Sequence, residues 1–262
     1  MTYPIYQIDA FTSILFKGNP AAVVLLDKWL PNERLQLIAM ENNLSETAFI
    51  CPQNAELHIR WFTPTTEVEL CGHATLASAH VLFNHEEIEG DEITFHSQSG
   101  LLRVLKDDNK LTLDFPLDDF YKVNELPELM RMNIRTQVNE IYRGKTDYMF
   151  VFSNQKEIEN FIPSLDIIAQ LDSRGLIITA PGDEVDFVSR YFGPQTGIPE
   201  DPVTGSAHTT LTPFWSKRLG KQKMNARQIS QRGGCLTCEL RGSRVLIGGG
   251  CRTFFKGELY ID

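Results

Sequence analysis

Ile59-Arg60-Trp61-Phe62-Thr63-Pro64 recurs later in the chain as Ser189-Arg190-Tyr191-Phe192-Gly193-Pro194, and this recurrence decides how the fold is read. Arg60 and Arg190 stand 190 − 60 = 130 positions apart, close to half of the 262 residues. Leu35-Gln36-Leu37-Ile38-Ala39 pairs with Leu165-Asp166-Ile167-Ile168-Ala169 in the same phase. Gly72-His73-Ala74 then pairs with Gly205-Ser206-Ala207 at 205 − 72 = 133, and Ser97-Gln98-Ser99-Gly100 with Ser230-Gln231-Arg232-Gly233 at the same offset. One insertion between Pro194 and Gly205 accounts for the change of phase. A period this long exceeds the roughly 20–50 residues of solenoid units, so each copy has the size of a domain. The expectation is two similar domains related by approximate two-fold symmetry, with the active site in the cleft between them, where ligand sites are favoured.

Each copy reads in the same order. Ile5 to Phe11 and Pro20 to Leu26 read as strands around the turn residues Gly18-Asn19. A short amphipathic helix follows Pro31, and strands follow at Glu46 to Ile50 and Glu56 to Phe62. The segment Ala74 to Phe83 carries almost no charge on any face, which places a helix in an interior. Its counterpart begins at Gly205-Ser206-Ala207 and runs towards Trp215, with Pro213 expected to bend or interrupt it. Many strands with few helices, and no strict strand–helix alternation, give an α+β class: in each domain a curved, mainly antiparallel sheet wrapped around a central helix. The boundary is placed at Pro116, giving domains 1–117 and 118–262, with the last strand a candidate to return to the first domain.

Composition narrows the function classes. At 42% hydrophobic and 23% charged residues the chain is ordinary globular material. Its longest apolar runs, such as Ala21 to Leu26, cannot span a bilayer, and Met1 to Gln7 lacks the pattern of a secretory signal, so a cytoplasmic location and no membrane partner are expected. A net charge of −9 argues against nucleic acid as a partner. Five cysteines suit a reducing compartment. Cys235-Leu236-Thr237-Cys238 has CxxC spacing, but in a strand-like stretch its thiols point to opposite faces, and no second pair completes a site, so no metal is expected. Dinucleotide and P-loop signatures are absent.

Chemistry is expected where the copies agree and where they differ. Both central helices start at a glycine, Gly72 and Gly205, and a helix start offers backbone N–H groups and a positive dipole end to an anion. Hydrogen bonds to a carboxylate, each about 1.5–3 kcal/mol, outweigh the dipole at roughly 0.3–1 kcal/mol. At offset 130 Glu46 faces Leu176, so a carboxylate in one copy has an apolar counterpart. Flanked by Leu44 and Phe49, Glu46 is a candidate general base whose partial desolvation raises its pKa, although a lone strand glutamate more often faces solvent. His73, opposite Ser206, sits at a helix start that disfavours its cation. Asp201 falls in the inserted region, where an Asp-Pro turn is the simpler reading. Cys71 precedes a helix start, where thiol pKa values fall, and it keeps a thiol enzyme open as a third reading.

Gly18-Asn19-Pro20-Ala21, Ser45-Glu46-Thr47-Ala48-Phe49, Arg60-Trp61-Phe62-Thr63-Pro64, Cys71-Gly72-His73-Ala74-Thr75 and Glu200-Asp201-Pro202-Val203-Thr204-Gly205-Ser206-Ala207-His208 together resemble the phenazine-biosynthesis PhzF-like isomerases across essentially the whole chain. The resemblance implies the diaminopimelate-epimerase-like fold of two pseudo-symmetric domains. It implies a cofactor-independent proton transfer at carbon of a small carboxylate-bearing substrate, with Glu46 as general acid/base assisted by His73, Asp201 and Ser206. It further implies that amides at Gly72 and Gly205 hold the substrate carboxylate and that Asn19 lies close to the site; members of the family are often homodimers. Two-thiol racemases of related families place cysteines at both helix starts. Here Cys71 stands at one and Thr204 at the other, which disfavours that chemistry. A non-catalytic small-molecule-binding protein that retains the cleft is the alternative.

Overall fold

The computed structural model describes residues 1–108, 110–125, 128 and 138–261. The chain divides into two compact units, residues 1–115 with 247–262, and residues 116–246. The division is therefore discontinuous: the first boundary falls between 115 and 116, and residues 247–262, with the last strand, go with the first unit. Among the described residues no helix is long and apolar enough to cross a membrane.

The first unit contains β1 (Thr2–Ala10), β2 (Asn19–Leu25), α1 (Asn32–Asn42), β3 (Glu46–Gln53), β4 (Glu56–Phe62), β5 (Glu67–Val68), α2 (Gly72–Asn84), β6 (Glu92–Ser97), β7 (Gly100–Asp107) and β8 (Lys110–Pro116). The last strand of the chain, β18 (Cys251–Tyr260), pairs antiparallel with β1 over its whole length. Helix α2 is buried on nearly every face, from Gly72 through Ala79 and again at Val81, Leu82 and Phe83. A helix apolar all round has no solvent face to offer and becomes the core around which strands close. The outer face of β3 and β4 packs on α1: Phe49, Cys51 and Phe62 join Leu35, Ile38 and Ala39 in one cluster.

The second unit contains β9 (Tyr121–Val123), β10 (Glu140–Arg143), β11 (Asp147–Val151), α3 (Gln155–Glu159), α4 (Leu165–Ile168), β12 (Gly175–Pro181), β13 (Phe187–Gly193), β14 (Ile198–Asp201), α5 (His208–Leu219), β15 (Lys223–Gln228) and β16 (Gly234–Arg241). Strand β17 (Arg244–Gly249) carries the chain back into the first unit. α5 runs through Pro213 without interruption. It also starts three residues later than Gly205: His208 N–H bonds Gly205 O at 3.0 Å and Thr209 N–H bonds Ser206 O at 3.1 Å, so Gly205 to Ala207 form a tight turn before the helix.

The two units pair their strands by one scheme. β2–β3 is parallel, β3–β4 antiparallel, β4–β6 parallel and β6–β7 antiparallel. β11–β12, β12–β13, β13–β15 and β15–β16 repeat the same senses. Arg60 pairs with Glu67 at 2.7 Å and lies over the Phe62 ring at 5.2 Å; Arg190 pairs with Glu200 at 2.7 Å and lies over Phe192 at 4.9 Å.

Register corrects one sequence expectation. With Phe62 and Phe192 as equivalent anchors, Thr47 pairs with Phe62 but Leu176 pairs with Phe192. Thr47 therefore corresponds to Leu176, and the counterpart of Glu46 is Gly175. A shift of one residue exchanges the two faces of a strand. Leu176, Ile178 and Ala180 pack with Ile158 and Ile168 of α3 and α4, as Phe49 and Cys51 pack on α1, so Leu176 belongs to the outer face and not to the face of Glu46. At Gly175 an added Cβ would lie 2.6 Å from the Phe192 carbonyl oxygen and 2.6 Å from the Tyr191 ring. Gly175→Ala is accordingly expected to destabilise the second unit by about 1–3 kcal/mol through overpacking. Urea unfolding would measure it, and a neutral result would mean that both the Tyr191 ring and the Phe192 carbonyl shift freely.

Candidate functional site

Glu46 opens β3 and is only 8% exposed. Its neighbour across the parallel ladder is Ala21, and Asn19, two residues earlier on β2 and fully buried, shares that strand face. Gly18 makes the entry to β2 with φ +70, a conformation open to glycine. His73 lies in the first turn of α2 with its Nε2 3.3 Å from Glu46 Oε2, and its Nδ1 3.5 Å from Cys71 Sγ. Cys71 is the residue before the helix, and its carbonyl accepts bonds from Thr75 N–H and from Thr75 Oγ1. The first amides of such a helix lie ahead of its own acceptors, so this end presents N–H groups and the positive dipole end beside a buried carboxylate. The structure thus brings Glu46, His73 and Gly72 together, with Cys71 as an addition, and places Asn19 on the strand face of Ala21. Glu46, Cys71 and His73 offer donor atoms all within 4.8 Å of one another, so the trio could also hold a cation.

In the second unit Asp201 ends β14 and is 6% exposed. Its Oδ2 accepts from Thr204 Oγ1 at 2.5 Å. Gln228, buried at the end of β15, binds this turn three ways: Nε2 donates to Asp201 O at 2.7 Å and to Thr204 Oγ1 at 3.1 Å, and Oε1 accepts from Thr204 N–H at 2.9 Å. His208 Nδ1 lies 2.8 Å from Thr204 O. Asp201, Gly205 and Ser206 therefore belong to one braced turn leading into α5. Chain order carries no signal for Gln228, because only the ladder places it there.

Residues 8–257 match the family model for phenazine biosynthesis-like proteins. The chain belongs to the phenazine biosynthesis-like family. An uncharacterized isomerase of Pseudomonas aeruginosa is 47% identical, with both chains covered completely. The crystal structure of a PhzF-family phenazine biosynthesis protein from Enterococcus faecalis superimposes with a TM-score of 0.94 at 47% identity, again with full coverage of both chains. At the level of fold alone, a predicted epimerase of Pseudomonas aeruginosa gives a TM-score of 0.76 at 18% identity, covering 99% of this chain and 100% of that one. The α+β, sheet-dominated architecture is that of the PhzF family.

In this PhzF-family chain the counterpart of the Glu46 region is filled by a buried network that sequence reading missed. Asp147, facing Gly175 across β11–β12 as Ala21 faces Glu46, receives Arg174 Nε at 3.1 Å and Nη2 at 2.5 Å. Tyr191 Oη donates to the same carboxylate at 3.1 Å, and Thr146 Oγ1 at 3.0 Å. Burial and the adjacent Asp147 carboxylate push the Tyr191 phenol far above its ordinary value, so it stays a neutral donor. Here the carboxylate is locked by a guanidinium and a phenol. At Glu46 the carboxylate stands against an imidazole.

His208 supplies a pH-dependent handle on the second unit. Its burial lowers the imidazole pKa from 6.5 to about 4, partly opposed by the Thr204 carbonyl. Between those values the unfolded chain binds the proton and the folded chain does not, so stability falls as pH drops from 6.5 towards 4 and is intact above 6.5. At about 1.4 kcal/mol per pKa unit the loss is on the order of 3 kcal/mol. His208→Gln is expected to flatten this slope in denaturation curves at pH 7.5 and 4.5; an unchanged slope would remove His208 from the account.

Proposed function

We propose that the protein is a cofactor-independent isomerase or epimerase that moves a proton at carbon of a small carboxylate-bearing substrate, with Glu46 as the general acid/base. The observation that carries this reading is Glu46 buried beside His73 at the start of α2, where backbone amides favour an anion. In the reaction, the substrate carboxylate docks at the amides led by Gly72. Glu46 takes the proton from an adjacent carbon, and the electron pair left behind is stabilised towards the pinned, hydrogen-bonded carboxylate. The same carboxyl group then returns the proton to carbon, so no net proton is consumed. His73, 3.3 Å away, steadies the carboxylate through its change of charge. For Asp201, Gly205 and Ser206 the family resemblance implies assisting and substrate-binding roles. The name borne by the Pseudomonas aeruginosa relative, an uncharacterized isomerase, agrees with this class of reaction.

We also read the shared pairing scheme of the two units, with its matching Arg–Glu–Phe clusters, as the product of an internal duplication. The test of function is to incubate candidate amino and hydroxy acids with the protein in D2O and follow the substrate C–H signal by NMR. Exchange that depends on Glu46 supports the proposal. Ligands that raise the melting temperature without exchange or turnover would replace it with a non-catalytic binding protein.

A further inference from the structure

We propose that Glu56, His58 and His96 form a binding site for a divalent transition-metal ion of the zinc class on the surface of the first unit, separate from Glu46 and independent of the function proposed above. Glu56 and His58 are two apart on β4, so they share one strand face, and His96 on β6 is the direct partner of His58 in the parallel ladder. Pairing, not chain proximity, thus collects two imidazoles and a carboxylate. The imidazole rings stack with centroids 5.1 Å apart and 27° between planes, and their Nε2 atoms lie 3.6 Å and 3.7 Å from the same carboxylate oxygen, Glu56 Oε2. All three donor atoms fall within 4.8 Å of one another.

Those separations are close to what coordination requires. Zinc binds imidazole nitrogen and carboxylate oxygen at about 2.0–2.2 Å, and neighbouring ligand atoms of a tetrahedron at that radius are roughly 3.3 Å apart. Side-chain torsions alone can supply the difference. Two imidazoles and one carboxylate suit zinc, copper or nickel better than magnesium or calcium, which prefer all-oxygen sets. The carboxylate offsets part of the ion's charge, and the side-chain exposures of 30% for His58, 33% for His96 and 53% for Glu56 leave a path for the ion and a place for water as the remaining ligand.

Without an ion the arrangement has little to hold it. An exposed carboxylate–imidazole contact contributes at most about 1 kcal/mol even when the ring is protonated. The β4–β6 ladder is also short, Leu57 with Phe95 and His58 with His96, so an ion ligated from both strands would clamp the pairing where the backbone does least.

Titration of the intact protein with ZnCl2 in a calorimeter should show saturable binding and a rise in melting temperature. His58→Gln with His96→Gln should weaken it at least tenfold while leaving the metal-free melting temperature unchanged; Glu56→Gln, at the most exposed position, serves if the double variant fails to fold. CoCl2 separates this site from the Cys71 trio, because a nitrogen–oxygen set gives d–d bands with no thiolate charge-transfer band. Undiminished zinc affinity in the variants, absence of saturable binding, or a thiolate band as the sole cobalt signal would overturn the proposal.

Discussion

Glu46→Gln is expected to lower the rate of substrate C–H exchange by about 10²–10⁴-fold, the usual contribution of a positioned general acid or base. The substitution keeps the volume of the side chain and its place at the start of β3, so the fold and the docking of a carboxylate at α2 should survive. What disappears is the carboxylate assigned to take up and return the proton. The expected signature is a fall in kcat with KM changed little, measured by deuterium incorporation on whichever of the candidate acids exchanges. His73→Gln is a useful companion: a neighbour that steadies the carboxylate without carrying the proton should cost less than Glu46. Exchange in Glu46→Gln that matches the parent enzyme would remove Glu46 from the chemistry, and full loss in Cys71→Ser would move the reaction to the thiol.

How far this site could be read from the chain depends on which residues local order controls. The Arg60 and Arg190 recurrence, the apolar helix from Ala74 and the glycine-led start at Gly72 are visible because periodicity and helix-start chemistry act over a few positions. The opposition of Glu46 to Leu176 fails for a physical reason. β3 and β4 are joined across Asn54 and Ala55, whereas β12 and β13 are joined across residues 182–186. A single extra residue between the anchor pairs passes unnoticed in an offset count yet turns the strand face over. α5 starts three residues beyond the glycine expected to open it, because a glycine-led tight turn and a first helical turn look alike in sequence. Gln228, Arg174 and Asp147 were invisible, since strand pairing brings them to their partners and no short-range pattern marks a buried polar bridge.

Asp147→Ala is expected to destabilise the second unit by about 3 kcal/mol, the low end for removing one partner from a buried ion pair, because the Arg174 side chain is 31% exposed and water can reach it. Asp147 is 3% exposed and serves Arg174, Tyr191 and Thr146 at once. Its loss removes the carboxylate that receives both the guanidinium and the phenol, leaving Asp201 as the remaining negative charge that acts on them, and a methyl group does not fill the gap. The pair itself need not be stabilising, because desolvation consumes much of its attraction. Asp147→Leu combined with Arg174→Met should therefore recover most of the loss, as apolar replacements of buried pairs often do. Urea denaturation of the two variants distinguishes these outcomes, and a double variant as unstable as Asp147→Ala would show that the ion pair is itself a net source of stability. The comparison also bears on chemistry. The second unit keeps a carboxylate near the place where the first has Glu46, but it is saturated with donors and set beside Gly175. Neutralising Asp147 should leave any remaining exchange dependent on Glu46 alone, as a one-base reaction requires; a double variant that folds but loses exchange would make Asp147 a second participant.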